Sequence, residues 1–266
     1  MFYPLVSIII PSLNQGKFID QTLESIFLQD YPNLEVIVMD GGSTDGTVKT
    51  LKKYELRVTS NELRKHRIFT WISKKDKGQA DAINKGMKKA HGDIVTYINS
   101  DDYYLPHAIK TVVSYFLDYP NVDWLTGDCM IVDEYNNRIQ SFVRWYKKIL
   151  RMLPIQLILP VANPIAQPST FWRKKVFEEI GHFDDALRYV FDYEYWIRIA
   201  KKYTISVIPH VLSAFRIHRA SKGGSNYKKQ FEEELEVSHT FHTPRFFQFF
   251  HKIHAKIVIW IYNRIK

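Results

Sequence analysis

The sequence predicts an α/β fold on a mainly parallel sheet with an antiparallel portion, followed by a short C-terminal helical extension. Three observations predict it. β-Branched runs alternate with helical periodicity over roughly the first 120 residues, Gly, Pro or Asn punctuates most exchanges, and the pattern changes to short β segments after Trp124.

Val6 to Ile10 is a short apolar run stopped by Pro11, and Leu34 to Met39 is a second one stopped by Asp40-Gly41-Gly42. Between them Ile19, Leu23, Ile26 and Phe27 recur at helical spacing, and Pro32-Asn33 turns the chain back, which makes a βαβ unit. Thr44 is placed to cap a helix carrying Val48 and Leu51, and a third strand is expected at Ile68 to Ile72. Ala80, Ile83, Met87 and Ala90 mark the next helix, and Asp93 to Ile98 is a fourth strand running into Asn99-Ser100-Asp101-Asp102. Ile109, Val112, Val113 and Phe116 give one more helix, expected to begin near Pro106. Past Trp124, Asn136-Asn137 predicts a hairpin turn.

The chain has 266 residues, 45% hydrophobic and 24% charged, enough to bury a core and too apolar for a disordered chain. Its single cysteine, Cys129, excludes an internal disulfide and a thiolate cluster, and points to a reducing, cytoplasmic setting. The apolar start lacks a basic flank and breaks at Pro11, unlike a signal peptide. No run of 18 apolar residues occurs, so no spanning helix is expected. A net charge of +9 suits an anionic surface or a polyphosphate. Nucleic acid is disfavoured, because the basic segments contain no recognised reading module. One segment, Ser141 to Pro160, interleaves Arg144, Lys147, Lys148 and Arg151 with aromatics and contains no acid. The other, His239 to Lys266, holds seven aromatics and again no Asp or Glu.

In an open α/β sheet, ligands sit beyond the carboxyl ends of strands. There the chain carries Pro11-Ser-Leu-Asn14, Asp40-Gly-Gly-Ser-Thr-Asp45 and Asn99-Ser-Asp-Asp102. Carboxylates accept hydrogen bonds from a base or ribose, glycines let the backbone approach a ligand, and hard oxygens suit Mg²⁺ or Mn²⁺ on a diphosphate. A nucleotide diphosphate is the expected substrate. An ATPase loop fails, since Thr47 stands where the lysine belongs, and no G-x-G-x-x-G follows any strand.

Taken together the motifs resemble a family-2 glycosyltransferase of the GT-A fold, from about Val6 to Ser225. They are V-S-I-I-I-P-S-L-N at 6–14, V-I-V-M-D-G-G-S-T-D-G-T at 36–47, K-D-K-G-Q-A-D-A-I-N-K-G at 75–86 and N-S-D-D at 99–102. Q-P-S-T-F-W at 167–172, G-H-F-D at 181–184, F-D-Y-E-Y-W-I-R at 191–198 and R-I-H-R-A-S-K at 216–222 follow. The resemblance implies a catalytic domain over 1–225 and leaves 226–266 as a basic, aromatic helical extension.

It also implies inverting, metal-dependent transfer of a sugar, from a donor that is UDP-linked by default, to a hydroxyl of a glycan or lipid-linked acceptor. Surface polysaccharide or glycolipid synthesis is the implied setting. Pro11, Leu13 and Asn14 would line the nucleoside pocket, Asp40 would bond the base, and Asp76, Gly78 and Asn84 would shape the ribose and phosphate side. Asn99 and Ser100 belong to the donor side, and Asp101 would bind Mn²⁺ or Mg²⁺, with His218 as an additional metal or diphosphate contact. Asp192 matches the catalytic base, with Glu194 as the second candidate. Asn99 departs from the family's first aspartate, and Gly41 and Gly42 from a further acid.

Structural readings stand beside these. Asp40 would serve equally as a cap for the next helix or in an Asx-turn, Asp102 as a cap for the helix near Pro106, and Asp192 and Glu194 as partners of Arg198. The pairs His239/His242 and His251/His254 lack acidic or cysteine partners and read as solvated helix faces rather than zinc sites. The extension either packs on the domain or lies in a membrane interface, making the protein peripheral on the inner face. A nucleotidyltransferase and a non-catalytic sugar-nucleotide or glycan-binding module are the rival functions.

Overall fold

A computed structural model describes residues 3–60, 67–219, 221, 227–241 and 244–265. Strands β1 (Val6–Ser12), β2 (Leu34–Asp40), β3 (Arg67–Ser73) and β4 (Ile94–Tyr97) alternate with α1 (Ile19–Phe27), α2 (Thr47–Thr59) and α3 (Gln79–Lys89). After β5 (Tyr103–Tyr104) come α4 (Ala108–Asp118), β6 (Trp124–Val132), α5 (Ser141–Leu150) and α6 (Ile155–Ile158). The chain continues with β7 (Thr170–Arg173), α7 (Lys174–Ile180), α8 (Phe191–Ala200) and β8 (Ser206–Arg216). Helices α9 (Tyr227–Thr240) and α10 (Arg245–Ile265) follow.

One eight-stranded sheet runs in the order β3-β2-β1-β4-β7-β6-β8-β5. The β3-β2-β1-β4 half is parallel, and β7 inverts the direction against both β4 and β6. This is the expected mixed sheet, with its antiparallel portion centred on β7.

The period of two along β1 builds two cores. Val6, Ile8 and Ile10 pack with α1, α2 and α4 on one face, while Ile9 packs with α3, α7 and α8 on the other. Each such aliphatic side chain, fully buried, contributes about 1.5–3 kcal/mol of transfer free energy. Because α1 and α2 lie on one face and α3 on the other, the order reverses between β1 and β4. A crevice opens there at the carboxyl ends of the strands.

Local expectations are corrected in three places. Helix α2 starts at Thr47 rather than near Thr44; its first turn is held by Asp45, whose Oδ1 accepts from the Thr47 N–H at 2.9 Å and from its hydroxyl. Helix α4 starts at Ala108 behind His107 in a left-handed conformation, and Asp102 does not cap it. His251 and His254 do not form a solvated face. His251 is fully buried, and neither ring of the pair has a hydrogen-bond partner among the described residues. His242 lies outside the described residues. The turn at Asn136-Asn137 forms as expected, closed by the Asp133 carboxylate and a bridge between Val132 and Arg138.

Candidate functional site

Two loops meet at the crevice and are stitched by side chain-to-backbone bonds. Asn14, at φ 53, accepts the Thr44 N–H on its Oδ1 at 2.9 Å and donates its own N–H to Ser43 Oγ at 2.7 Å. The Gln15 N–H reaches Thr47 Oγ1 at 3.0 Å, and the Gly16 N–H reaches Asp45 Oδ2 at 2.8 Å. Leu13 stands exposed between them, whereas Pro11 is buried as part of β1.

Asp40 ends β2 in register with Ser12 and Ser73, and it is 2% exposed. Its oxygens accept the Gly42 and Ser43 N–H groups at 3.2 and 2.9 Å and the hydroxyls of Ser43 and Ser73. The carboxylate therefore shapes an Asx-turn, so the structural use anticipated for it is present here. Asp76 lies directly over the next residue: a Cβ on Gly41 would come within 2.8 Å of Asp76 Oδ2. A side chain at 41 would have to displace the Asp76 carboxylate. Burial pushes the Asp76 carboxyl up, and the charges of Asp81 and Asp40 add to this against the Gly78 N–H. That N–H, at 2.9 Å, fixes Gly78 at φ 130, a conformation that L side chains rarely adopt.

Asn84 is drawn elsewhere. Both ends of its amide bond the Phe183 backbone, at 2.8 and 2.9 Å, so what it positions is the G-H-F-D segment before α8. Asn99 is also committed: its Oδ1 accepts from Gln79 and its Nδ2 donates to Asp102 Oδ2 at 3.2 Å. Ser100 is buried beneath the turn.

The acidic pair divides its work. Asp101 Oδ2 faces His218 Nε2 at 3.0 Å, with both side chains nearly buried. Asp102 is fully buried and accepts the Arg216 N–H at 2.8 Å; burial and the adjacent Asp101 charge push its carboxyl well above the usual range. Among the described residues, no group of three or more His, Cys, Asp or Glu could hold a metal alone. Asp101 and His218 supply one carboxylate and one imidazole. That set fits Mg²⁺ or Mn²⁺ when phosphate oxygens complete the shell. A cavity of about 270 Å³, bordered by Asn14, Lys17, Asp45, His218 and Arg219, opens beside them.

Arg216 was not singled out from the sequence, yet it organises this corner. It is 1% exposed, and its guanidinium donates to the Asp101 carbonyl at 2.8 Å, Gln21 Oε1 at 2.7 Å and Asn136 Oδ1 at 2.9 Å. The rings of Phe18 and Tyr103 lie within 4.8 and 5.4 Å of it. The signal for it is R-I-H-R itself, since a buried arginine must have several acceptors.

Asp192 sits in the first turn of α8, half-buried, with its Oδ1 accepting the Tyr193 N–H at 2.8 Å. Glu194 is buried in a two-pronged pair with Arg198, at 2.6 and 2.8 Å, and Arg198 also donates to the carbonyls of Ile180 and His182. That engagement gives Glu194 a structural task and leaves Asp192 as the base candidate. Burial, with the Arg151 charge, pulls the Lys147 ammonium down, and the Asp192 charge opposes this.

A family model described as glycosyl transferase family 2 matches residues 7–181. An uncharacterized glycosyltransferase of Rickettsia conorii is 29% identical over 240 residues, 89% of this chain, and the chain spans 38% of that protein's length. The Escherichia coli protein named UDP-Glc:alpha-D-GlcNAc-diphosphoundecaprenol beta-1,3-glucosyltransferase WfgD is 27% identical over 236 residues, 85% of this chain and 82% of that one. Among solved structures, the mannosyltransferase PcManGT of Pyrobaculum calidifontis, in complex with GDP-Man and Mn²⁺, has a TM-score of 0.70 at 21% identity. It covers 96% of this chain and 70% of that one. S. aureus TarS with UDP-GlcNAc has a TM-score of 0.65 at 20% identity, covering 88% and 65%.

Proposed function

The chain belongs to glycosyl transferase family 2, and from that premise we propose that it transfers a sugar with inversion from a nucleotide-diphosphate donor to a hydroxyl of a glycan or lipid-linked acceptor. The observation that carries this reading is the crevice itself. Loops from β1, β2 and β4 converge there, and Asp101 faces His218 across 3.0 Å beside a cavity of about 270 Å³.

In this reading the stitched loops at Asn14 and Asp40 form the nucleoside wall, with Asp76 and Gly78 on the ribose side. Asp101 and His218 would hold a divalent ion, Mn²⁺ or Mg²⁺. That ion, when bound, supplies charge neutralisation for the departing diphosphate. Arg216 keeps the Asp101 carbonyl fixed, so the carboxylate is preorganised. Asp192 accepts the acceptor hydroxyl's proton as that oxygen attacks the anomeric carbon from the face opposite the leaving group.

UDP is the proposed nucleotide of the donor, by the family resemblance and by the donor in the name of the 27% identical Escherichia coli relative. GDP remains a competitor, because the same fold holds GDP-Man in the archaeal neighbour. That relative's name also specifies a diphosphoundecaprenol acceptor, which favours a lipid-linked acceptor and work at the inner face of a membrane, in surface polysaccharide or glycolipid assembly.

The test is thermal stabilisation by UDP, GDP, dTDP and CDP, each with and without Mn²⁺. A metal-dependent shift with one nucleotide is expected. No shift with any of the four would overturn the donor site.

A further inference from the structure

Helix α5 is turned inside out. Its inward row is cationic: Arg144 Nε donates to Asp128 Oδ2 at 2.7 Å, and Lys147 Nζ to the Ile165 carbonyl at 3.3 Å. Just past the helix end, Arg151 continues that row and donates to Asp128 Oδ1 at 2.8 Å. Its outward row is apolar. Phe142, Trp145, Tyr146 and Ile149 face solvent, continued by Met152 and Leu153, with Trp145 67% and Met152 80% exposed. Exposed apolar residues at helical spacing are costly in water, and a stripe of them marks a surface meant for another apolar phase.

Helix α10 repeats the device. His251 and Ala255 are buried toward the protein, while Phe246, Phe250, Ile253 and Ile257 form a stripe on the opposite side, with Phe249 at its border. Arg245, Lys252 and Lys256 are exposed along one flank of that stripe. The helices meet where the Tyr146 and His254 rings stack at 6.0 Å. Among the described residues no helix is long and apolar enough to cross a membrane.

From these faces we propose that α5 and α10 together form a platform that lies in the interface of an anionic lipid bilayer. Charge chooses this occupant over a second copy of the chain. The last acid before α10 is Glu236, so pairing two such faces would oppose cation to cation, whereas anionic headgroups complement them. Lys147 on the inward row feels the charge of Asp192, so α5 borders the side of the fold that carries the candidate base, a link that rests on the reading of Asp192 as the base.

Flotation of the full chain with vesicles of phosphatidylcholine, with and without phosphatidylglycerol, tests the platform. Binding to the anionic vesicles that weakens with added salt is expected, and Trp145→Ser and Phe250→Ser should each lower partition about tenfold while Trp145→Phe keeps it. The nucleotide-dependent melting shift serves as the folding control and also reports separately on the donor site. Equal partition of wild type and both serine variants overturns the platform, as does a dimer that the same substitutions dissolve.

Discussion

Val190, the residue just before α8, donates its backbone N–H to the Glu233 carboxylate at 2.9 Å, across 43 positions of the chain. The N–H groups of Arg188 and Tyr189 join it at 2.9 and 2.6 Å. A carboxylate on α9 thus gathers three donors at the entry to the helix that bears Asp192, where α8 has no side-chain cap of its own.

Glu233→Ala should therefore loosen the entry to α8 without touching the donor site. The expected result is a fall in kcat of about tenfold, with donor KM nearly unchanged, and a stability loss of about 1–2 kcal/mol. Glu233→Gln, which keeps one acceptor oxygen, should recover part of both. A fall in donor affinity instead would place the clamp's effect elsewhere.

Asp192→Asn removes the base and keeps the shape. Transfer should drop by about 10² to 10⁴-fold while nucleotide-dependent stabilisation persists. Glu194→Gln should act differently: it weakens the Arg198 pair, so melting temperature falls before the pH profile of transfer changes. Wild-type rates in Asp192→Asn would withdraw its role.

Asp101→Ala and His218→Ala should each weaken the divalent-metal dependence of nucleotide binding by about 10 to 100-fold, with Asp101 the larger because its carboxylate supplies charge. Titration of the UDP melting shift with Mn²⁺ measures this. Identical metal midpoints in wild type and variants would remove the pair from the metal site.

The parallel half of the fold was legible because β1 and β2 are continuous β-branched runs and the helices between strands carry regular stripes. The exchange to an antiparallel β7 was less so: Thr170–Arg173 is four residues long, and pairing partners far apart in sequence leave no periodic trace. The site's loops were located by their place after strands, but the uses of single residues were not. Asn84 and Asn99 read as ligand-facing amides, whereas each is spent on tying two segments together. In the run Glu232-Glu233-Glu234 the sequence alone does not separate the three side chains. Helical geometry sends Glu232 to solvent, Glu233 to the α8 entry and Glu234 into the interior, a division that only the packing reveals.

Two glycines that look alike in the sequence should respond differently to alanine. A Cβ on Gly86 would meet Ile9 Cγ2 at 2.5 Å, between α3 and the central strand, so Gly86→Ala should destabilise the fold by about 1–3 kcal/mol. A Cβ on Gly41 meets the end of the Asp76 side chain, which can swing away. Gly41→Ala should hence leave the melting temperature of the free protein nearly unchanged and weaken nucleotide binding several-fold. Denaturation and nucleotide titration of both variants separate the cases, and the reverse pattern would refute the placement of Asp76 on the ribose side.

The interior between α5, α8, α9 and α10 predicts an unusual dependence of stability on pH. Burial pushes the Glu234 carboxyl up to about 8, with Asp192 adding to this and Lys147 opposing it. His251 Nε2 lies 3.8 Å from that carboxyl, and burial together with the neighbouring His254 and His239 pulls the ring down to about 4. Near neutrality the two are an uncharged pair rather than an ion pair. As pH rises from about 4.5 to 8, the unfolded chain gives up the Glu234 proton that the native chain retains, so this group's contribution to stability falls across that window. The histidine acts in the other direction, losing stability only as pH falls from 6.5 toward 4. Lys147, whose ammonium burial pulls down, also opposes the glutamate, so the variant difference isolates Glu234 best. Glu234→Gln is neutral at every pH. Relative to wild type it should gain about 2 kcal/mol between pH 6.5 and 8, measured by urea denaturation at both values. Parallel pH profiles for the two proteins would mean that Glu234 is already ionised in the native state, and that Lys147 pairs with it.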